Sequence, residues 1–89
     1  MKQALAITVK GRVQGVGFRF STVREAENLG IKGFVENRMD GTVYIEAEGE
    51  PEALNKFVNW CWKGPATASV DNVSTQEIPV HNFKRFGVK

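Results

Sequence analysis

The chain has a single cysteine, Cys61, in 89 residues. One thiol excludes an internal disulfide and a thiolate zinc site, and cytoplasmic residence is the simplest reading of such cysteine usage. Histidine is equally scarce: His81 stands alone. No His/Cys/Asp/Glu series has metal-ligand spacing, so neither a metal site nor a cofactor is expected. No apolar run approaches the roughly 20 residues that span a bilayer. The opening "MKQALAITVKGR" has too short and interrupted an apolar stretch for a secretion signal, so the glycosylation pattern at Asn72–Ser74 reads as chance. A strong charge excess is also missing. Twelve Lys+Arg against ten Asp+Glu leave +2, too little to announce a nucleic-acid partner. Repeats, linkers and low-complexity tracts are absent, and 89 residues are read as one domain, 1–89, monomeric by default.

What charge there is lies unevenly. Lys10, Arg12, Arg19 and Arg24 fall in a stretch without acids, giving +4; the remaining eight bases and ten acids sum to −2. A local positive field of this kind suits a small anion better than a long polyanion.

Hydrophobic periodicity outlines the elements. Leu5, Ile7 and Val9 alternate with Ala4, Ala6 and Thr8, which predicts a strand over 3–10. A glycine-rich loop follows. From Phe18 or Arg19, the residues Phe20, Val23, Ala26 and Leu29 recur at helical spacing, and Gly30 is a C-terminal stop. Residues 31–37 and 42–48 read as strands joined at "MDG", where Asp-Gly favours the positive-φ geometry of hairpins. Pro51 opens a second helix whose buried stripe is Leu54, Phe57, Val58 and Cys61, ended by Gly64-Pro65. Trp60 and Trp62 flank Cys61 and cannot both face inward. Val70–Ile78 is a fourth strand, and "FKRFGVK" a short last strand or tail. The order β-α-β-β-α-β predicts an α+β ferredoxin-like sandwich, an antiparallel sheet with two helices on one face.

The loop "GRVQGVGFR" lies between strand and helix. Glycines there allow successive N–H groups to point into one concavity. The helix start adds unpaired N–H groups and the positive end of its dipole. Arg19 can add a bidentate guanidinium–phosphate contact. The stretch lacks the Gly-Lys-Ser/Thr ending of a Walker loop and the parallel βαβ setting of a dinucleotide fingerprint. On these grounds it is either an anion cradle or a plain turn.

Three stretches make the resemblance specific. "GRVQGVGFR" resembles the signature of the acylphosphatase family. Gly33, Val35, Asn37, Asp40, Gly41 and Val43 match its G-x-V-x-N-x-x-D-G-x-V motif. Gly64, Pro65, Ala68, Val70 and Val73 match its G-P-x-x-A-x-V-x-x-V. The resemblance covers essentially the whole chain. It implies metal-independent hydrolysis of an acyl phosphate to a carboxylate and inorganic phosphate, the latter also a competitive inhibitor. By motif position Arg19 matches the catalytic arginine. With it, the backbone N–H groups of Gln14, Gly15, Val16, Gly17, Phe18 and Arg19 would hold the phosphoryl oxygens. Asn37 matches the asparagine that positions the attacking water. A non-catalytic phosphate or acyl-phosphate binding module is the alternative. RNA binding through Phe18, Phe20 and Phe34 lacks the alternating aromatic and basic pattern of such sheets.

Other candidates have plainer readings. Arg12 and Arg24 are read as solvated charges, His81 as a spectator and Cys61 as core. Glu36 neighbours Asn37, so strand alternation turns it to the opposite face, away from a bound phosphate.

Overall fold

The computed structural model describes residues 1–89. Its elements are β1 (Gln3–Arg12), α1 (Phe18–Leu29), β2 (Lys32–Asn37), β3 (Val43–Gly49), α2 (Pro51–Lys63), β4 (Ser69–Ile78) and β5 (Phe86–Val88). They form one sheet of order β4-β1-β3-β2-β5. β1 pairs antiparallel with β3 and β4, and β2 pairs antiparallel with β3. Register aligns the apolar residues on one face: Ile7 opposes Ile45, Val9 opposes Val43, and Val35 opposes Ile45. All five are fully buried. Both helices cover this face, α2 through Leu54, Phe57 and Cys61 and α1 through Phe18, Thr22 and Ala26. The result is the ferredoxin-like α+β sandwich that the element order predicts.

Two details depart from the sequence reading, and a third fills it in. The sheet is mixed, not wholly antiparallel, because β5 pairs in parallel with β2, Gly33 beside Phe86 and Val35 beside Val88. The register explains the direction. Ile78 at the end of β4 lies opposite Ala4, Ala4 opposite Glu48, and Glu48 opposite Lys32 at the start of β2. The chain therefore leaves β4 at the end of the sheet where β2 begins, and a segment crossing there can only run alongside β2 in the same direction. Glu48 holds that crossing. Its fully buried carboxylate accepts the backbone N–H groups of His81 and Phe83.

The inward stripe of α1 starts at Phe18, not Phe20. Gly17 enters the helix in the left-handed conformation, which turns Phe18 down against Trp60, ring centroids 5.5 Å apart, and leaves Phe20 67% exposed. Thr22 is tolerated beneath it because its hydroxyl donates to the Phe18 carbonyl at 2.7 Å, so no buried donor is unpaired.

The β2–β3 connection is the third. Of Asp40 and Gly41 only Gly41 has positive φ. The Arg38 N–H donates to the Thr42 carbonyl and the Gly41 N–H to the Arg38 carbonyl, a three-residue loop closed by a left-handed residue. Asp40 braces it by accepting the Thr42 N–H at 3.0 Å and hydroxyl at 2.7 Å. Those bonds hold its carboxyl below the usual range.

Cys61 is core, as read from its place in the stripe. Burial pushes its thiol up to about 12. Trp60 is half-buried and Trp62 is exposed.

Two stability measurements test these points. Gly33 has φ +143°, and a Cβ there would sit 1.8 Å from the Glu46 carbonyl oxygen; Gly41 has φ +90° with open space around it. Gly33→Ala is expected to cost more than about 3 kcal/mol in urea unfolding and Gly41→Ala only ~1 kcal/mol; equal costs would refute the close-approach argument. The Cys61 thiol stays protonated in the fold but ionises near 9.0 when unfolded. Stability should therefore be full below that pH and fall as pH rises towards 12. Cys61→Ala should shed part of that decline. Tyr44, raised to about 12 by burial and its bond to Glu46, leaves a residual slope of the same sign.

Candidate active site

Residues 13–17 connect β1 to α1. Gly15 and Gly17 take φ of +73° and +80°, conformations that cost a side-chain-bearing residue about 1–2 kcal/mol. The turn leaves the loop's donors free. No backbone N–H from Gln14 to Arg19 donates to another group of the chain; the first bond of the helix runs from Ser21 to the Gly17 carbonyl. α1 has no side-chain N-cap and no acid in its first turn, so its positive end is uncompensated. Consecutive free donors facing a helix start are the arrangement that binds an anion.

Side chains pin this loop from outside. Gln14 Nε2 donates to the carbonyls of Arg38 at 2.7 Å and Thr42 at 2.9 Å, tying the loop to the β2–β3 hairpin. The Thr67 hydroxyl donates to the Val16 carbonyl at 2.6 Å, tying it to the α2–β4 connection. Val13 and Phe18 anchor its two ends in the core. Gly64 lies against the Phe18 ring, where a Cβ would come within 2.7 Å of it.

A cavity of about 410 Å³ opens above the loop. It is lined by Gly15, Gly17, Arg19 and Asn37, by the apolar Phe20 and Val23 of α1 and Val88 of β5, and by the buried Val13 and Phe18. Arg19 is exposed and unpaired; the chain's ion pairs are Met1 with Glu50 and Arg38 with Glu36. Asn37 ends β2 opposite Val43, so it points to the helix-covered side. Its Oδ1 is buried without a hydrogen-bond partner, which costs free energy unless a donor is supplied.

Of the residues singled out in the sequence, Gly15, Gly17, Phe18, Arg19 and Asn37 thus meet in one cavity. Gln14 and Val16 do not line it. Gln14 is turned to the hairpin, and Val16 packs partly on the core, though their N–H groups remain free. Glu36 faces away, 2.9 Å from the Arg38 guanidinium, which itself lies 3.9 Å above the Tyr44 ring. Arg12 and Arg24 are exposed and outside the cavity, as is His81. The sequence reading missed the roles of the Gln14 side chain, Thr67, Phe20 and Val88. None carries a local signal, since each depends on a contact distant in the chain.

A family model described as acylphosphatase matches residues 5–88. The chain belongs to the acylphosphatase family. It is 49% identical over 87 residues to an acylphosphatase of Thermotoga maritima, covering 98% of this chain and 97% of that protein. The crystal structure of the acylphosphatase from Bacillus subtilis superposes with a TM-score of 0.95 at 39% identity, covering 100% of this chain and 99% of that one. An acylphosphatase structure from Coxiella burnetii gives 0.96 at 39% identity, with 99% and 93% covered. Acylphosphatases are hydrolases acting on acyl phosphates, and the chain is an enzyme of that class. No helix is long and apolar enough to cross a membrane.

The pinning of the loop is testable by itself. Gln14→Ala removes both bonds to the hairpin and leaves two carbonyls without that donor. Both carbonyls keep a backbone donor, so the loss should be about 0.5–1.5 kcal/mol in urea unfolding. An unchanged midpoint would mean that Gln14 does not brace the loop.

Proposed function

We propose that residues 1–89 act as one acylphosphatase domain that hydrolyses the carboxyl-phosphate bond of acyl phosphates without a metal. Arg19 and the loop N–H groups hold the phosphoryl group and Asn37 holds the attacking water. The observation that carries the reading is the meeting of Arg19, the free-donor loop and the Asn37 side chain in one cavity.

The chemistry suits what the cavity contains. Its lining includes no His, Asp, Glu, Ser or Cys, hence neither a strong base nor a nucleophilic side chain. An acyl phosphate asks for neither. The oxygen of water bonds to phosphorus, the bond from phosphorus to the acyl oxygen breaks, and the pair leaves on a carboxylate. That group is so weak a base that it departs without a general acid. The water's protons leave with the products. What remains for the protein is positioning and charge stabilisation. A guanidinium and a ring of N–H dipoles follow the charge on the equatorial oxygens. The Asn37 carboxamide hydrogen-bonds the water from the cavity lining and aims its lone pair at phosphorus, without acting as a base. Inorganic phosphate, as product, competes for the same cradle. The protein works as a cytoplasmic monomer needing no nucleic acid or membrane, a reading supported by its lone buried thiol and low net charge.

The deciding experiment is hydrolysis of benzoyl phosphate in excess EDTA by the wild type and two folded variants. Arg19→Ala should lose about 10³-fold or more in turnover together with inhibition by inorganic phosphate. Asn37→Ala should lose about 10²–10³-fold in kcat but keep that inhibition, since the cradle is intact. Wild-type turnover in either variant removes its assigned role. A wild type that binds phosphate yet turns nothing over would be a binding module instead.

A further inference from the structure

Asn37 is held in the sheet from one side only. It is the last residue of β2 and pairs with Val43 at the start of β3. On the other edge β5 accompanies β2 from Gly33 to Val35, and the Lys89 N–H closes that pairing on the Val35 carbonyl at 2.8 Å. At Asn37 the strand gives way to the hairpin loop. Its Oδ1 has no partner within the chain, so the aim of the carboxamide is set by the backbone that carries it.

That backbone is braced from the far face. Strand alternation turns Glu36 away from the helices, and Arg38 follows it there; neither lines the cavity. Arg38 Nε lies 2.9 Å from Glu36 Oε2. The same guanidinium lies 3.9 Å above the ring of Tyr44, the cross-strand partner of Glu36. Tyr44 is fixed in turn, its hydroxyl donating to Glu46 Oε2 at 2.8 Å. One planar cation thus ties the residue before Asn37 to the residue after it and rests both on β3. A lone surface ion pair contributes little, but a guanidinium that is stacked and paired at once is held in one geometry. The cradle is tied to this hairpin through main-chain atoms, the Arg38 and Thr42 carbonyls that accept Gln14 Nε2. Truncating the Arg38 side chain leaves that tie in place.

We infer that Arg38 is a positioning residue for the reaction: seated between Glu36 and Tyr44 on the far face, its side chain fixes the Asn37 backbone and so the direction in which the carboxamide presents the water. The inference rests on the reading that Asn37 holds the attacking water, and it adds what aims that residue. Attack in line with the leaving oxygen depends on placement, and a displacement of about 1 Å can cost on the order of 10²-fold in rate. Arg38 touches neither the phosphoryl group nor the water, so its whole effect passes through Asn37.

The test measures kcat on benzoyl phosphate and inhibition by inorganic phosphate in the wild type, Arg38→Ala, Arg38→Lys, Asn37→Ala and the Arg38→Ala/Asn37→Ala double variant. Arg38→Ala should lower kcat about tenfold and leave phosphate inhibition, which reads the cradle alone, unchanged. Arg38→Lys keeps a charge for Glu36 without the planar stack on Tyr44 and should recover part of the loss. In the Asn37→Ala background, Arg38→Ala should lower kcat no further, because the residue it aims is gone. The Arg38 side chain is 47% exposed, and circular dichroism checks that each variant is folded. Wild-type kcat in Arg38→Ala, the same tenfold loss repeated in the Asn37→Ala background, or weakened phosphate inhibition in Arg38→Ala overturns the positioning role and leaves the proposed reaction standing. Wild-type turnover in Asn37→Ala overturns the water-holding role and this inference together.

Discussion

The rest of the structure depends on keeping a run of backbone donors unpaired. Most backbone N–H groups of a fold are spent within the chain, yet those from Gln14 to Arg19 donate to no other group of it and are left to water or a ligand. Such a loop would collapse onto itself or onto solvent-ordered alternatives unless the surroundings held it. The surroundings act on other atoms. Gln14 gives its carboxamide to the hairpin, Val16 gives its carbonyl to Thr67, and Val13 and Phe18 give their side chains to the core. Each tether takes a part of the loop that an anion does not need. A stable sandwich can in this way maintain a local arrangement that would be unfavourable alone.

The same sheet separates charges of opposite sign. Glu36, Glu46 and Glu48 alternate with apolar residues along β2 and β3, so they fall on the face away from the helices. There Glu36 meets Arg38, Glu46 accepts the Tyr44 hydroxyl at 2.8 Å, and Glu48 accepts two backbone N–H groups. The cavity side keeps Arg19 without a competing carboxylate. A modest net charge therefore produces a locally positive site. Glu48 links the two faces. By holding the crossing segment it delivers β5 to the free edge of β2, where Phe86 fills the core and Val88 reaches the cavity.

Much of this was legible in the residue order because its causes are local. Alternation in 3–10 and 42–48, the Gly30 stop, Pro51 at a helix start and the Asp-Gly turn each act within a few residues. Val23, Ala26 and Leu29 of the α1 stripe pack on the core as read, but its start was placed at Phe20 because helical spacing alone does not say where a stripe begins. The left-handed Gly17 sets that phase by turning Phe18 inward. The hairpin existed where Asp-Gly stood, but its loop type depended on which of the two residues took positive φ.

The sequence by itself determined the elements, their order and the chemical identity of the residues that meet at the site. Propensity, periodicity and turn chemistry are short-range, and three glycine-bearing motifs name the family. The tertiary structure alone decided that Asn37 and Arg19 line one cavity, that β5 runs parallel at the β2 edge, and that Phe20 and Val88 border the same cavity. Those outcomes follow from register and from where the chain can cross the sheet. Both are properties of the packed molecule, because pairing between distant segments has no trace in either segment read alone.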